Sequence, residues 1–209
     1  MKPVRVCLEV GAKKVFASAL DWPGWCRSGK TEEAALEALA DYAGRYAPVP
    51  QRAGIAFPPR QGPDFDVVER VEGDATTDFG APGAVAKADA EPMAKKEAER
   101  QAALVQAAWE VLDDVAAHAP ASLRKGPRGG GRDRDKMLDH VDNAQDAYAR
   151  KMGLAQEDRT RDGIVEALRA ARKGDPMKDK GWPPRYAARR IAWHVLDHAW
   201  EMEDKSGNG

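Results

Sequence analysis

The stretch RIAWHVLDHAWEMED, residues 190–204, decides the fold because its apolar side chains recur every three or four residues. Residues with this spacing lie on one face of an α-helix, so the pattern predicts an amphipathic helix over 184–204. Its interior stripe combines apolar and histidine side chains, namely Ile191, His194, Val195, His198 and Met202. Two histidines one turn apart are therefore directed into the protein.

Three further helical segments precede this one, over 93–118, 133–152 and 160–173, and proline or glycine residues separate them. Four helices with short links predict an antiparallel four-helix bundle. The apolar stripe of the second segment contains His140, in the same register as Met137. A third histidine is thus directed towards the same interior.

Three of the four histidines in the chain share this predicted interior, where an imidazole without a partner loses its hydrogen bonds to water. His140, His194 and His198 are therefore candidate ligands of a divalent metal ion, for which imidazole favours zinc, nickel or iron. Three protein ligands leave one position open, which is typical of a reactive site. The alternative is that the histidines pair with carboxylates, for which Asp197 and Glu201 are available.

Two segments resemble the DinB-like superfamily, whose four-helix bundles carry one histidine on the second helix and a His-x-x-x-His pair on the last. KMLDHVDNAQDAY places His140 in the first position, and RIAWHVLDHAWEMED places His194 and His198 in the pair. The resemblance covers residues 93–204. It implies a divalent metal ion and, as in members that are transferases or isomerases, a low-molecular-weight thiol such as mycothiol or bacillithiol. The expected partner is then a small-molecule substrate or thiol.

Two classes of function follow from these residues. In the first, the protein is a metal-dependent transferase, isomerase or hydrolase, and Glu201 or Asp197 orients a histidine or moves a proton. In the second, it is a non-catalytic protein-interaction module on a helical scaffold. A three-ligand site favours the first class, whereas a core of histidine–carboxylate pairs favours the second.

The segment LRKGPRGGGRDRDK, residues 123–136, directly precedes the second helix of the predicted bundle. Glycine backbone amides, guanidinium groups and a helix start all attract anions. The predicted binding residues for an acidic group of the thiol cofactor are Arg128, Gly129, Gly130 and Arg132. About 10 Å of helical rise separates this loop from His140. The alternative is a flexible loop with solvated charges.

The N-terminal part has a different periodicity and predicts a small α+β domain over 1–72. Alternating apolar residues predict a hairpin of strands over 4–10 and 15–20, followed by a helix capped by Thr31. Residues 55–57 and 65–71 predict one or two further strands. A stretch rich in glycine, alanine, aspartate and proline, 73–92, predicts a linker to the helical domain over 93–209.

The segment VFASALDWPGWCRSGKTEEAALEALADYAGRY is similar to the HicB-like antitoxin domain, in which a strand leads through Asp, Pro and Gly to a small helix. The similarity spans residues 4–47. It depends on seven positions, namely Asp21, Pro23, Gly24, Gly29, Thr31, Glu33 and Ala34. We expect this half to serve as a cover or docking module.

Composition excludes several partners. The 33 Lys and Arg residues against 34 Asp and Glu residues give a net charge of −1, which disfavours binding to nucleic acid or to an anionic membrane. The sequence contains no signal peptide or long apolar run, so we expect a cytoplasmic protein. Cys7 and Cys26 form no metal-binding spacing and are predicted to be reduced thiols.

The last helix also has a second apolar face, formed by Trp193, Leu196 and Trp200. An exposed face of this kind needs a partner. The N-terminal domain is the simplest candidate, and a homodimer is the next.

Overall fold

A computed structural model describes residues 3–57, 64–126 and 130–207 of the protein. The fold is α+β, as predicted, with a four-stranded mixed sheet and a helical second half. The strands are β1 Val4–Val10, β2 Val15–Ala19, β3 Cys26–Gly29 and β4 Phe65–Glu72. The helices are α1 Glu32–Asp41, α2 Ala43–Tyr46, α3 Pro48–Arg52, α4 Ala75–Phe79, α5 Lys95–His118, α6 Arg134–Met152, α7 Arg161–Ala170 and α8 Pro184–Ser206, with short 3-10 turns at Lys87–Ala90 and Gln156–Asp158.

The sheet has the strand order β3-β2-β1-β4. The predicted hairpin is confirmed, since β1 pairs antiparallel with β2 and Val10 lies opposite Val15. β4 pairs parallel with β1, a pairing that needs a crossover, and helices α1 to α3 lie within that crossover. α1 begins as predicted, because the Thr31 side chain accepts a hydrogen bond from the backbone N–H of Ala34 at 3.2 Å.

Of the one or two further strands predicted, the one over 65–71 forms as β4, whereas residues 55–57 are in irregular structure. Phe57 contributes instead to an aromatic cluster below the sheet, with ring centroids 4.9 Å from Trp22 and 5.1 Å from Trp25. Side-chain packing of an aromatic residue therefore replaces strand pairing at this point. Trp25 is buried there, and its indole N–H donates to the carbonyl of Leu39 at 2.8 Å.

The segment 73–92 carries ordered elements and buried polar contacts. The buried carboxylate of Glu9 on β1 accepts hydrogen bonds from the hydroxyl of Thr77 and from the backbone N–H groups of Gly83 and Ala84. Further along, Asp89 is buried against α8. Hydrogen bonds and a buried ion pair therefore hold this segment in place, although its composition resembles that of a linker. The division into domains over 1–72 and 93–209 stays a prediction.

The four predicted long helices are confirmed as α5, α6, α7 and α8, with ends shifted by no more than a few residues. α5 packs against α7 and α8, and α6 packs against α8. One hydrophobic core contains side chains from the sheet and from all four helices, including Leu8, Leu112, Met137, Ile164 and Leu196. α8 is buried along most of its length because it lies within this core.

The second apolar face of α8 is covered within the chain. Trp193 packs edge-on against Phe16 of β2 at 6.1 Å, and Trp200 packs against Tyr42 at 5.1 Å. Both tryptophans are buried. The N-terminal half is therefore the partner of this face, as the simpler of the two predictions expects.

Cys7 and Cys26 are buried free thiols, as predicted. Burial raises the pKa of each thiol to about 12, so both are protonated at neutral pH. No helix in the described ranges is both long and apolar enough to cross a membrane.

Candidate metal centre

The three histidines predicted as ligands lie together between α6 and α8. The ring centroids of His194 and His198, one turn apart on α8, are separated by 4.6 Å. The ring of His140 on α6 lies 5.1 Å from the first and 4.9 Å from the second. His194 and His198 are buried, and His140 is half-buried. The three histidines that the sequence predicts on apolar helix faces, the histidine triad, therefore lie together in the structure.

The ligand atoms of the triad are close enough to share one ion. Nε2 of His140 and Nε2 of His194 are 3.2 Å apart, and all three ligand atoms lie within 4.8 Å of one another. Two imidazole nitrogens on one tetrahedral zinc ion, each at about 2.0–2.1 Å, are separated by roughly 3.3 Å. The first pair already has this separation, and the ligand atom of His198 lies within 4.8 Å of both. The triad could therefore hold a metal ion.

Glu201 orients one of these rings. Nδ1 of His198 lies 3.0 Å from Oε2 of Glu201, and the other carboxylate oxygen is bonded by Lys205. The hydrogen bond to His198, followed by the bond to Lys205, lowers the pKa of Glu201 to about 2. An ionised carboxylate accepts a proton donor, so Nδ1 of His198 carries the hydrogen and Nε2 keeps its lone pair. That lone pair is available to a metal.

Burial also favours the metal-binding form of His194 and His140. It lowers the pKa of His194 to about 2, and repulsion from a protonated His198 and from Arg190 adds to this effect. The pKa of His140 is lowered chiefly by burial and then by the charge of Arg132. A histidine with a lowered pKa is neutral at pH 7, and the neutral imidazole is the metal ligand.

The second predicted catalytic carboxylate is not part of this cluster. Asp197 accepts a hydrogen bond from Nη1 of Arg27 on β3 at 2.9 Å. Asp197 directly precedes His198, so its side chain points about 100° away from that of His198 around the helix axis. Among the described residues, Glu201 is the carboxylate that bonds a triad histidine, and Asp197 joins α8 to the sheet.

The predicted anion-binding loop is described only in part, because Arg128 and Gly129 lie outside the described residues. The carbonyl of Gly130 accepts a hydrogen bond from the backbone N–H of Gly126 at 2.8 Å, which closes the loop at its base. Arg132 is exposed, and its charge acts on His140. A basic residue of the loop is therefore near the triad, while binding of an anion there stays a prediction.

Sequence reasoning missed Arg190, which lies one turn before His194 on α8. Its guanidinium carbon is 4.6 Å from the ring centroid of Trp193 and 5.3 Å from that of Tyr148 on α6. The Tyr148 ring in turn contacts His194 edge-on at 5.5 Å. The spacing of four residues from a candidate ligand was the available signal in the sequence.

Comparisons with known proteins found no match. No protein-family model matches the chain, and neither a curated protein nor a solved structure is significantly similar to it. The resemblances to the DinB-like and HicB-like families stay predictions that depend on short motifs.

Replacing Glu201 by glutamine is expected to weaken zinc binding about 10- to 100-fold while leaving one site per chain. The amide is uncharged and can present its NH2 group to His198, so it no longer selects the required tautomer. The measurement is competition with a chromophoric zinc chelator. The control is Glu203→Gln, because Glu203 is on the same helix but bonds Arg45. Equal affinities in the two variants would mean that Glu201 does not orient the ring.

Proposed function

We propose that this protein binds a divalent metal ion through His140, His194 and His198 and uses it as a metal-dependent transferase, isomerase or hydrolase. One observation carries the proposal: three imidazoles from two helices converge, with two Nε2 atoms 3.2 Å apart. Neutral histidines gathered in an interior gain little from packing, and a shared metal satisfies all of their lone pairs. Zinc, nickel and iron are the ions that this donor set favours.

The proposed architecture is a DinB-like antiparallel four-helix bundle of α5, α6, α7 and α8, with a HicB-like unit at the N-terminus. The support is the order of the ligands along the chain, with one histidine on the second of these helices and a His-x-x-x-His pair on the last. The N-terminal unit covers the second face of α8 through Phe16 and Tyr42. In this proposal it is a cover for the helix that carries two ligands.

The chemistry that a bound metal with an open position supplies is Lewis acidity, which at neutral pH favours the nucleophilic form of water or of a thiol. The residues of the chain prepare the site for it. Glu201 holds His198 in one tautomer, and the hydrogen bonds from His198 and Lys205 keep Glu201 ionised. The ring of Tyr148 packs edge-on against His194, with Trp182 behind it at 5.0 Å. The proposed partner is a small molecule, such as a low-molecular-weight thiol of the mycothiol type. In this proposal, Arg132 lies beside the route by which that molecule reaches the histidines.

The test is metal content, measured by inductively coupled plasma mass spectrometry on protein purified without a histidine tag. We expect about one equivalent of metal in the wild type and none in the variant with His194→Ala and His198→Ala. The matched control is His118→Ala, which removes the fourth histidine, an exposed residue at the end of α5. Circular dichroism would verify that the variants are folded. A wild type that takes up no metal after incubation with zinc, nickel or iron(II) would overturn the proposal.

A further inference from the structure

Arg190 differs from the other arginines at the start of α8. Arg185 lies 3.5 Å from Glu97, and Arg189 forms a bidentate buried pair with Asp89. Arg190 has no acidic partner within 4.0 Å among the described residues. Its Nη1 atom is shielded from solvent and forms no hydrogen bond there. A buried N–H group of a charged side chain without an acceptor is costly, so a ligand or a water molecule is the expected acceptor.

The position of this guanidinium group is well defined. Trp193 and Tyr148 hold it between α8 and α6, the two helices that also carry the histidines. Cβ atoms of residues four apart on a helix are about 5–6 Å from each other, so Arg190 and His194 are neighbours on α8. Gln145, one turn before Tyr148, has a buried Oε1 atom that likewise lacks a partner in the described ranges. Two buried polar atoms that lack a hydrogen-bond partner among the described residues therefore lie on α6 and α8, the helices that carry the histidines.

The charges around the triad leave a positive excess. The nearby carboxylates are already paired, Glu201 with Lys205 and Asp197 with Arg27. Histidines bind metals as neutral imidazoles, so the triad would not compensate a divalent cation. Arg190 adds a further positive charge, which acts on His194. An anionic ligand balances this excess, and the planar guanidinium matches a carboxylate.

We propose that Arg190 anchors the carboxylate group of a small-molecule ligand that binds beside the histidine triad. This inference rests on the proposed function, and it names the ligand class as small carboxylic acids whose second polar group lies a few bonds from the carboxylate. In the site, the carboxylate accepts N–H groups of Arg190, and the second polar group is directed at the histidines.

The rival occupant of the Nη1 position is a single water molecule. Arg190 also lines a small cavity between α8 and the sheet, together with Trp193 and Cys26. This cavity has a volume of about 10 Å³, which is room for one water molecule and too little for an organic acid. A carboxylate would therefore approach from the side of Tyr148 and His194. A bound water molecule and a bound carboxylate would give different responses when a carboxylate is added.

The test is a titration of the zinc-loaded protein with acetate, followed by the NMR shifts of the Trp193 indole N–H and of the backbone amides of α8. Acetamide, which has nearly the same shape and no charge, is the control ligand. We expect saturable shifts with acetate and none with acetamide. Arg190→Gln is expected to weaken acetate binding at least about tenfold, with zinc content unchanged, and Arg190→Lys to retain part of the affinity. The dispersion of the spectra shows whether each variant is folded.

Equal acetate affinity in the wild type and Arg190→Gln, or equal shifts with acetamide, would overturn the inference and favour the water molecule. The proposed function fails separately, if the wild type takes up no zinc. In that case the titration is repeated on the metal-free protein. Shifts that depend on Arg190 would then support an anion site without the metal, and their absence would overturn the anion site as well.

Discussion

Replacing Asp89 by alanine is expected to lower the free energy of unfolding by about 3–5 kcal/mol, because it leaves the guanidinium of Arg189 buried without its partner. Asp89 is about 1% exposed, and both of its carboxylate oxygens accept hydrogen bonds from Arg189. Asp89 also accepts the backbone N–H of Ala86 at 2.8 Å. The loss would be measured by urea denaturation followed by circular dichroism.

The control for this variant is Asp113→Ala, which breaks an exposed pair with Arg161 and is expected to cost no more than about 1 kcal/mol. A double variant, Asp89→Leu with Arg189→Met, removes both buried charges and is expected to recover much of the loss. A destabilisation by Asp89→Ala no larger than that of the control would contradict the buried ion pair.

Periodicity predicted most of the fold because it reports which face of an element is buried. The alternation in β1 and the three- and four-residue spacing in α8 meant that these elements could be located from the sequence. Both are also buried on a second face, at Cys7 and Glu9 in β1 and at Trp193 and Trp200 in α8. The contacts of segment 73–92 could not be predicted in this way, because polar side chains make them. Glu9 and Arg189, which hold it, are far from it in sequence, and pairing of this kind leaves no local pattern.

The candidate site likewise has a part that the sequence predicted and a part that it did not. His140, His194 and His198 lie on apolar stripes, and a stripe fixes the direction of a side chain. The choice between Glu201 and Asp197 as the partner of His198 depended on the rotation of α8 and on Arg27, which binds Asp197. The proposed role of Arg190 depends on the absence of an acidic partner among the described residues, which only the positions of all the nearby carboxylates reveal.

Zinc is expected to raise the melting temperature of the wild type by about 5–10 °C when its free concentration is 100 times the dissociation constant. Binding to the native state alone contributes about 2.7 kcal/mol at that ratio, and a chain of this size gains about 2–4 °C per kcal/mol. The coupling to folding is strong because His140 and His194 are 54 residues apart, so the complete ligand set exists only when α6 packs against α8.

Differential scanning calorimetry with and without zinc measures this shift, and an excess of chelator should reverse it. The variant with His194→Ala and His198→Ala should show no increase, whereas His118→Ala should behave like the wild type. An equal increase in the double variant would place the zinc elsewhere, because exposed carboxylates could then account for the stabilisation. A shift confined to proteins with an intact triad would instead tie metal binding to the packing of α6 on α8, so that the same contact that completes the core also assembles the site.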